Sequence, residues 1–236
     1  MAYIEGFVAA VPRANKDAYV KHATKAFPYF KKLGATRMVE NWGDDIPDGK
    51  LTDFKGAVKA QPDEEIIFSW VEYPDKATRD QANQRMMNDP AMADMGDMPF
   101  DGKRMIFAGF EPVIDEGKKG KFGYIDGSVI PVPAENKAAY VDSAKARIAL
   151  LREFGASRVV DAWGDDVPDG KVTDYKGAVK ATPNEKIVYS WIEWPSKEAR
   201  DKGWEAVMKD PRMQATPMPF DGKRMIYGGF APVLDM

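Results

Sequence analysis

The segment ATRMVENWGDDIPDGKLTDFKGAVKA, from Ala35 to Ala60, returns as ASRVVDAWGDDVPDGKVTDYKGAVKA at Ala156 to Ala181. Trp42 matches Trp163 and Gly49 matches Gly170, a constant offset of 121 residues. A self-match with Trp, Gly and Pro at fixed places means that one module is written twice. The 236 residues divide as 1–116 and 121–236, each near the usual size of a small domain.

Within each module the hydrophobic period switches between two and 3.6. Tyr3, Glu5, Phe7 and Ala9 alternate with Ile4, Gly6, Val8 and Ala10, which predicts a first strand. Asn15 is placed to cap a helix that carries Tyr19, Ala23, Phe27, Phe30 and Leu33 on one face and stops at Gly34. A strand over 36–42, the turn-rich run 43–50, a strand near 53–60 and the strand EIIFSWVEY at 65–73 follow. A second helix over 75–88 ends at Asp89-Pro90, and a last strand covers 104–114. This order is that of a ferredoxin-like α+β sandwich with room for an added hairpin. Its two helices cover one sheet face and leave the other bare, and the second module is the obvious cover for it. The linker, about 115–121, spans roughly 20–25 Å at full stretch. The expected architecture is therefore an intrachain pseudo-dimer, two ferredoxin-like modules closing an α/β barrel; further association stays open.

Composition narrows the partners. With 34 basic and 37 acidic residues interspersed, the chain has no basic field for nucleic acid. There is no cysteine, which excludes disulfides and thiolate chemistry. No apolar run approaches the ~20 residues of a membrane span. The N-terminal MAYIEGFVAAVP recurs as part of KFGYIDGSVIPVP and reads as fold and not as a leader. These features fit a cytoplasmic protein.

The pieces AYIEGFVAAVP, VENWGDDIPDGK, FSWVEYP, MMNDP and MPFDGKRMI resemble the YbaA-like bacterial proteins, a family of unknown function. The resemblance covers nearly all of each module and implies a dimeric α/β-barrel fold, here as a fused dimer with a central cavity. That superfamily includes cofactor-free oxygenases, isomerases, haem enzymes and plain ligand-binding domains, so the fold does not select a reaction.

Three strands per module carry an acid two residues from an aromatic: Tyr3 with Glu5, Glu40 with Trp42, and Trp70 with Glu72. The second copies are Tyr124 with Asp126, Asp161 with Trp163, and Trp191 with Glu193. If these faces line the interior, the cavity has aromatic walls and several carboxylates. Desolvation and like charges would raise such carboxyls into the range of a general acid or base. The same walls would also hold a cation. Glu40 and Asp161 are the candidate bases and Glu72 and Glu193 the second acids. Tyr3, Trp42, Trp70, Tyr124, Trp163 and Trp191 are the candidate ligand-contacting walls. The alternative is that the aromatics are core and the acids end strands at the solvent rim.

Other motifs carry less. Asp44, Asp45 and Asp48 fail the EF-hand spacing, since that loop would need oxygen at Ile46 and Glu at Lys55. Lys103 and Arg104 could meet an anionic group, or simply open a strand. Met86, Met87, Met92, Met95 and Met98 read as apolar filler, with a gate as the alternative. His22 is the only histidine and its counterpart is Ser143, so a paired site cannot depend on it. No metal or cofactor is expected, and GxGxxG and GxxxxGK[ST] have no match. Phe7/Ser128, Asn41/Ala162, Tyr73/Trp194 and Asn83/Trp204 differ between copies. One half is therefore expected to keep a pocket that the other fills.

Overall fold

The computed structural model describes residues 2–89 and 97–236. Each half contributes four strands: β1 (Tyr3–Pro12), β2 (Arg37–Asp45), β3 (Glu64–Tyr73) and β4 (Ile106–Gly117), then β5 (Tyr124–Pro133), β6 (Arg158–Asp166), β7 (Glu185–Trp194) and β8 (Ile226–Asp235). The order β1-β3-β2-β8-β5-β7-β6-β4 closes on itself as an antiparallel barrel. Within a half the order is the ferredoxin-like β4-β1-β3-β2. The halves join twice, β2 against β8 and β4 against β6, each join broken by irregularities in register. Closure removes the free edges that each sheet would otherwise expose.

Outside the barrel lie α1 (Lys16–Lys32) and α3 (Lys76–Asn88) on the first half, α4 (Lys137–Glu153) and α6 (Lys197–Lys209) on the second. Tyr19, Ala23 and Phe27 bury the expected face of α1, and Gly34 follows the helix at φ 104°, where a side chain would be strained. Two local expectations are corrected. Asn15 stands at the N-cap of α1, but its side chain makes no cap hydrogen bond there; its amide donates to the Pro99 carbonyl at 2.8 Å, as Asn136 does to Pro219 at 2.9 Å. The stretch 53–60 is not a strand but holds a short helix, α2 (Phe54–Ala57), matched by α5 (Tyr175–Ala178). Its cap is Asp53, whose carboxylate accepts from the Gly56 and Gly49 amides at 2.6 and 3.0 Å.

This explains why that segment is so well kept between the copies. α2 and α5 plug one end of the barrel: Phe54, Val58, Tyr175 and Val179 belong to the interior cluster. Thr52 and Thr173 each donate to the carbonyl of the other half's Arg224 and Arg104. The turn is tight enough that a Cβ on Gly49 would lie 1.9 Å from the Thr52 carbonyl oxygen, and Gly170 repeats this against Thr173. Gly49→Ala and Gly170→Ala are each expected to cost about 1–3 kcal/mol through forced backbone displacement. Denaturant titration of the two variants checks this, with Gly120→Ala, where a Cβ meets nothing within 4 Å, as the neutral control.

The barrel is filled. Ile4, Val8, Val39, Ile66, Phe68, Trp70, Phe110, Tyr189, Trp191 and Phe230 are among its buried side chains. Phe68 stacks on Tyr189 at 4.3 Å and Trp70 on Trp191 at 4.4 Å between ring centroids. Gly6 and Gly127 leave room for those rings, since a Cβ at either would come within about 3.0 Å of Tyr189 or Phe68. The expected central cavity is thus replaced by a packed aromatic core, because the large side chains of both copies meet on the pseudo-twofold axis.

Candidate functional site

The six acid–aromatic pairs do not share one interior. Strand register decides where each goes. Gly6 pairs with Trp70, and Trp70 pairs with Val39, so these residues face inward together. Glu40 pairs with Ser69 on the opposite face. The expectation that all six pairs line the barrel is therefore corrected, and they fall into three places.

The first place lies between sheet and helix. Glu40 and Trp42 sit under α1 with Ala9, Val11, Tyr19 and Ile67, and Phe100 and Met105 pack over them. The Tyr19 hydroxyl donates to Glu40 at 2.5 Å, and Ser69 is a second hydrogen-bonding partner. Burial pushes the Glu40 carboxyl up to about 7, against the opposing effect of the two hydroxyls. Burial, together with the adjacent Glu40 charge, pushes the Tyr19 phenol well above its usual range. The second half repeats the cluster: Asp161 accepts from Tyr140 at 2.8 Å and Ser190 at 2.5 Å beneath α4, beside Trp163. Here a cation is added, with the Arg147 guanidinium 4.0 Å from Asp161; its counterpart in the first half is Ala26. Tyr19/Tyr140 and Ser69/Ser190 are residues that the acid–aromatic pattern misses. Their identity across the 121-residue offset was the available signal.

The second place is the barrel end opposite the α2–α5 plug, here called the mouth. Trp70, Glu72, Trp191 and Glu193 do come together there. The two indole N–H groups donate to Glu72 at 3.4 Å and Glu193 at 3.2 Å. Arg158 is 1% exposed and lies 3.1 Å from Glu193 and 3.6 Å from Glu72, while its fork grips Asp115 at 2.7 and 2.9 Å. Arg37 lies 3.5 Å from Glu72 and 3.7 Å from Glu193 and grips Asp235 at 2.8 and 2.9 Å. Burial raises the Glu193 carboxyl, with Arg158 the main opposing influence.

The third place joins the halves. Tyr3 donates to Asp165 at 3.0 Å and Tyr124 to Asp44 at 2.8 Å. Arg79 bridges Glu5 at 3.0 Å and Asp166 at 2.5 Å; Arg200 bridges Asp126 at 2.8 Å and Asp45 at 3.1 Å. The repeated Gly-Asp-Asp is thus a clamp on the opposite module. Burial raises both Glu5 and Asp126 despite their arginines. The copies differ here: Trp194 and Trp204 both donate to Asp126 at 2.8 and 2.7 Å. Asn83 donates to Glu5 at 2.9 Å, and the buried Tyr73 hydroxyl has no hydrogen-bond partner among the described residues.

The remaining candidates resolve into structure. Arg104 is held by Glu64 at 2.6 and 2.7 Å and by Asp101 at 3.0 Å, and Lys103 is exposed. Met86 is partly buried, whereas Met87 and Met98 are exposed and are not core filler. Pro90, Met92 and Met95 lie outside the described residues. His22 is partly exposed on α1, its ring held below the usual value by desolvation and Lys25. No helix among the described residues is long and apolar enough to cross a membrane.

Fold and pairing define a tandem dimeric α/β barrel, a homodimer's architecture carried by one chain. The family model described as Protein of unknown function (DUF1428) matches residues 2–102 and again 123–222, and the chain belongs to that family. The uncharacterized protein YbaA of Escherichia coli K12 is 61% identical over 117 residues, which are 49% of this chain and the whole of that relative. YbaA of Shigella flexneri matches to the same extent. Among solved structures, an anthrone oxidase-like protein superposes with a TM-score of 0.62 at 12% identity, over 100% of this chain and 92% of its own. A candidate monooxygenase from Lactobacillus acidophilus gives 0.58 at 12% identity, over 99% and 95%. At such identity the likeness is one of fold.

Proposed function

We propose that the chain binds and acts on a small molecule by cofactor-free acid–base chemistry, in two half-sites between helix layer and sheet. The observation that carries this reading is the buried Tyr19–Glu40–Ser69 cluster, in which Tyr19 donates to a carboxyl that burial pushes up to about 7; Tyr140, Asp161 and Ser190 repeat its hydrogen bonds. A carboxyl near 7 with a phenol beside it is suited to take a proton from an activated carbon acid and return it. Glu40 and Asp161 are the bases, and Tyr19 and Tyr140 orient them. Trp42 and Trp163 form the adjacent walls. Glu72 and Glu193 take no direct part, because the sheet separates them from these carboxyls. The fold neighbours named as an anthrone oxidase-like protein and a candidate monooxygenase suggest enolisable, aromatic-sized substrates as the first to try.

The test is deuterium exchange at the acidic C–H of a panel of 1,3-dicarbonyl and anthrone-type compounds, followed by NMR in D2O. The native chain is expected to accelerate exchange for at least one compound, and Glu40→Gln with Asp161→Asn to lose at least a hundredfold of that rate while keeping the fold. Equal rates in the double variant remove both residues from the mechanism. A second reading, a non-catalytic module, is favoured by the filled barrel. Ligand-induced thermal stabilisation without exchange would support it.

A further inference from the structure

The mouth of the barrel is built from residues present in both copies: Arg37 and Arg158, Trp70 and Trp191, Glu72 and Glu193. Among the described residues, one segment is seen to cover it. The inter-module linker, 118–123, crosses the mouth and places two side chains on the Trp70 side. The Lys119 ammonium contacts the buried Glu72 carboxylate. The Phe122 ring lies nearly parallel to Trp70, 19° between planes and 6.4 Å between centroids, with the Arg37 guanidinium 5.7 Å from it.

The charges explain why a cation is wanted there. Glu72, Glu193, Asp115 and Asp235 are four carboxylates sharing two guanidiniums, those of Arg37 and Arg158. Among the described residues these ion pairs leave the four acids two cations short, and Lys119 supplies one. Asp115 and Asp235 are partly exposed, whereas Glu72 and Glu193 are buried; an unbalanced carboxylate at the buried pair is costly, so an incoming ammonium is favoured there by charge. Beside it the Trp70 ring offers a flat apolar floor for a second ring.

We propose that the barrel mouth is a binding site for a primary amine carried on an aromatic ring, and that Lys119 and Phe122 are its built-in occupants. An ammonium on Glu72 and a ring over Trp70 are the two contacts the linker makes, and an arylalkylamine would reproduce both. In this chain the linker therefore acts as a tethered competitor, present at high effective concentration. The site is distinct from the Glu40 and Asp161 half-sites, which lie on the other face of the sheet.

The experiment compares the full chain with Lys119→Ala/Phe122→Ala, using 2-phenylethylamine as the probe and tryptophan fluorescence as the readout. The double variant is expected to bind the amine saturably and at least tenfold more tightly than the native chain. The anion 3-phenylpropionate should not bind, and adding Glu72→Gln should abolish the response. Absence of saturable binding to the folded double variant overturns the proposal, as does equal affinity in the native chain or survival of binding after Glu72→Gln. If the double variant does not fold, Lys119→Gln, which leaves Phe122 seated, is tested with n-propylamine. Binding gained there supports the proposal, and none gained overturns it. Neither result bears on proton exchange at Glu40, so the two readings fail separately.

Discussion

Arg158→Ala is expected to destabilise the protein by about 3–5 kcal/mol, the usual cost of removing one partner from a buried ion pair. At this chain length that corresponds to a fall of roughly 6–20 °C in the thermal midpoint. Arg158 is 1% exposed and is shared among Glu193, Glu72 and Asp115. Its loss leaves Glu193 without its closest guanidinium and Glu72 with Arg37 as the one that remains. Arg37→Ala should cost less, because Arg37 retains 13% side-chain exposure and lies 3.7 Å from Glu193, where Arg158 lies at 3.1 Å. The pH dependence follows from Glu193, whose carboxyl is already raised by burial and held down mainly by Arg158. Without Arg158 it rises further. A carboxyl raised in the folded state contributes stability below its unfolded value, and that stability is lost as pH climbs through the folded value. The deficit of Arg158→Ala should therefore shrink on going from pH 8 to pH 5. Equal losses for the two arginine variants, or a deficit that grows in acid, would contradict this account of the mouth.

The same register that assembles the mouth limited what the sequence could reveal. Alternation correctly pairs Glu40 with Trp42 and Trp70 with Glu72, since side chains two apart on a strand share a face. It does not say which face. That depends on Trp70 standing opposite Val39 and not opposite Glu40, a long-range choice in which one residue of slip exchanges the two sides. The repeat, the barrel and the covering helices were legible because local period and a half-buried sheet dictate them. The filled interior was not, because two aromatic pairs, Phe68–Tyr189 and Trp70–Trp191, reach the axis from opposite halves and only the closed geometry shows that they meet. Asp53 as a helix cap was hidden for another reason. Asp-Phe-Lys-Gly-Ala has apolar spacing short enough to read as a strand, and the decisive contact is the Gly56 amide turning back to the carboxylate. Arg37 and Arg158 were passed over because a charged residue opening a strand normally reaches solvent.

Glu40→Gln is expected to change the pH dependence of stability more than any other single substitution in the helix–sheet layer. Burial raises the Glu40 carboxyl from an ordinary 4.5 to about 7 in the folded chain. Between those values the folded protein holds a proton that the unfolded chain has released, so stability falls as pH rises. The full span is about 3 kcal/mol, two and a half pH units at ~1.4 kcal/mol each. Gln keeps the size of the side chain, offers its carbonyl to Tyr19 and cannot ionise. The native chain should thus be at its best relative to Glu40→Gln near pH 4.5 and lose about 3 kcal/mol against it by pH 8, most steeply between pH 5 and 7. Taking the difference between the two proteins cancels the other titrating groups they share. Denaturant titrations across that range read it directly. A difference that stays flat would mean that Glu40 is ionised throughout, and a permanently ionised carboxylate would lack the near-neutral titration on which the proposed proton exchange rests. The copy at Asp161 provides the internal contrast. Arg147 stands 4.0 Å from it where Ala26 stands beside Glu40, so Asp161→Asn breaks contact with a cation and should destabilise the chain at pH 8, where Glu40→Gln does the opposite.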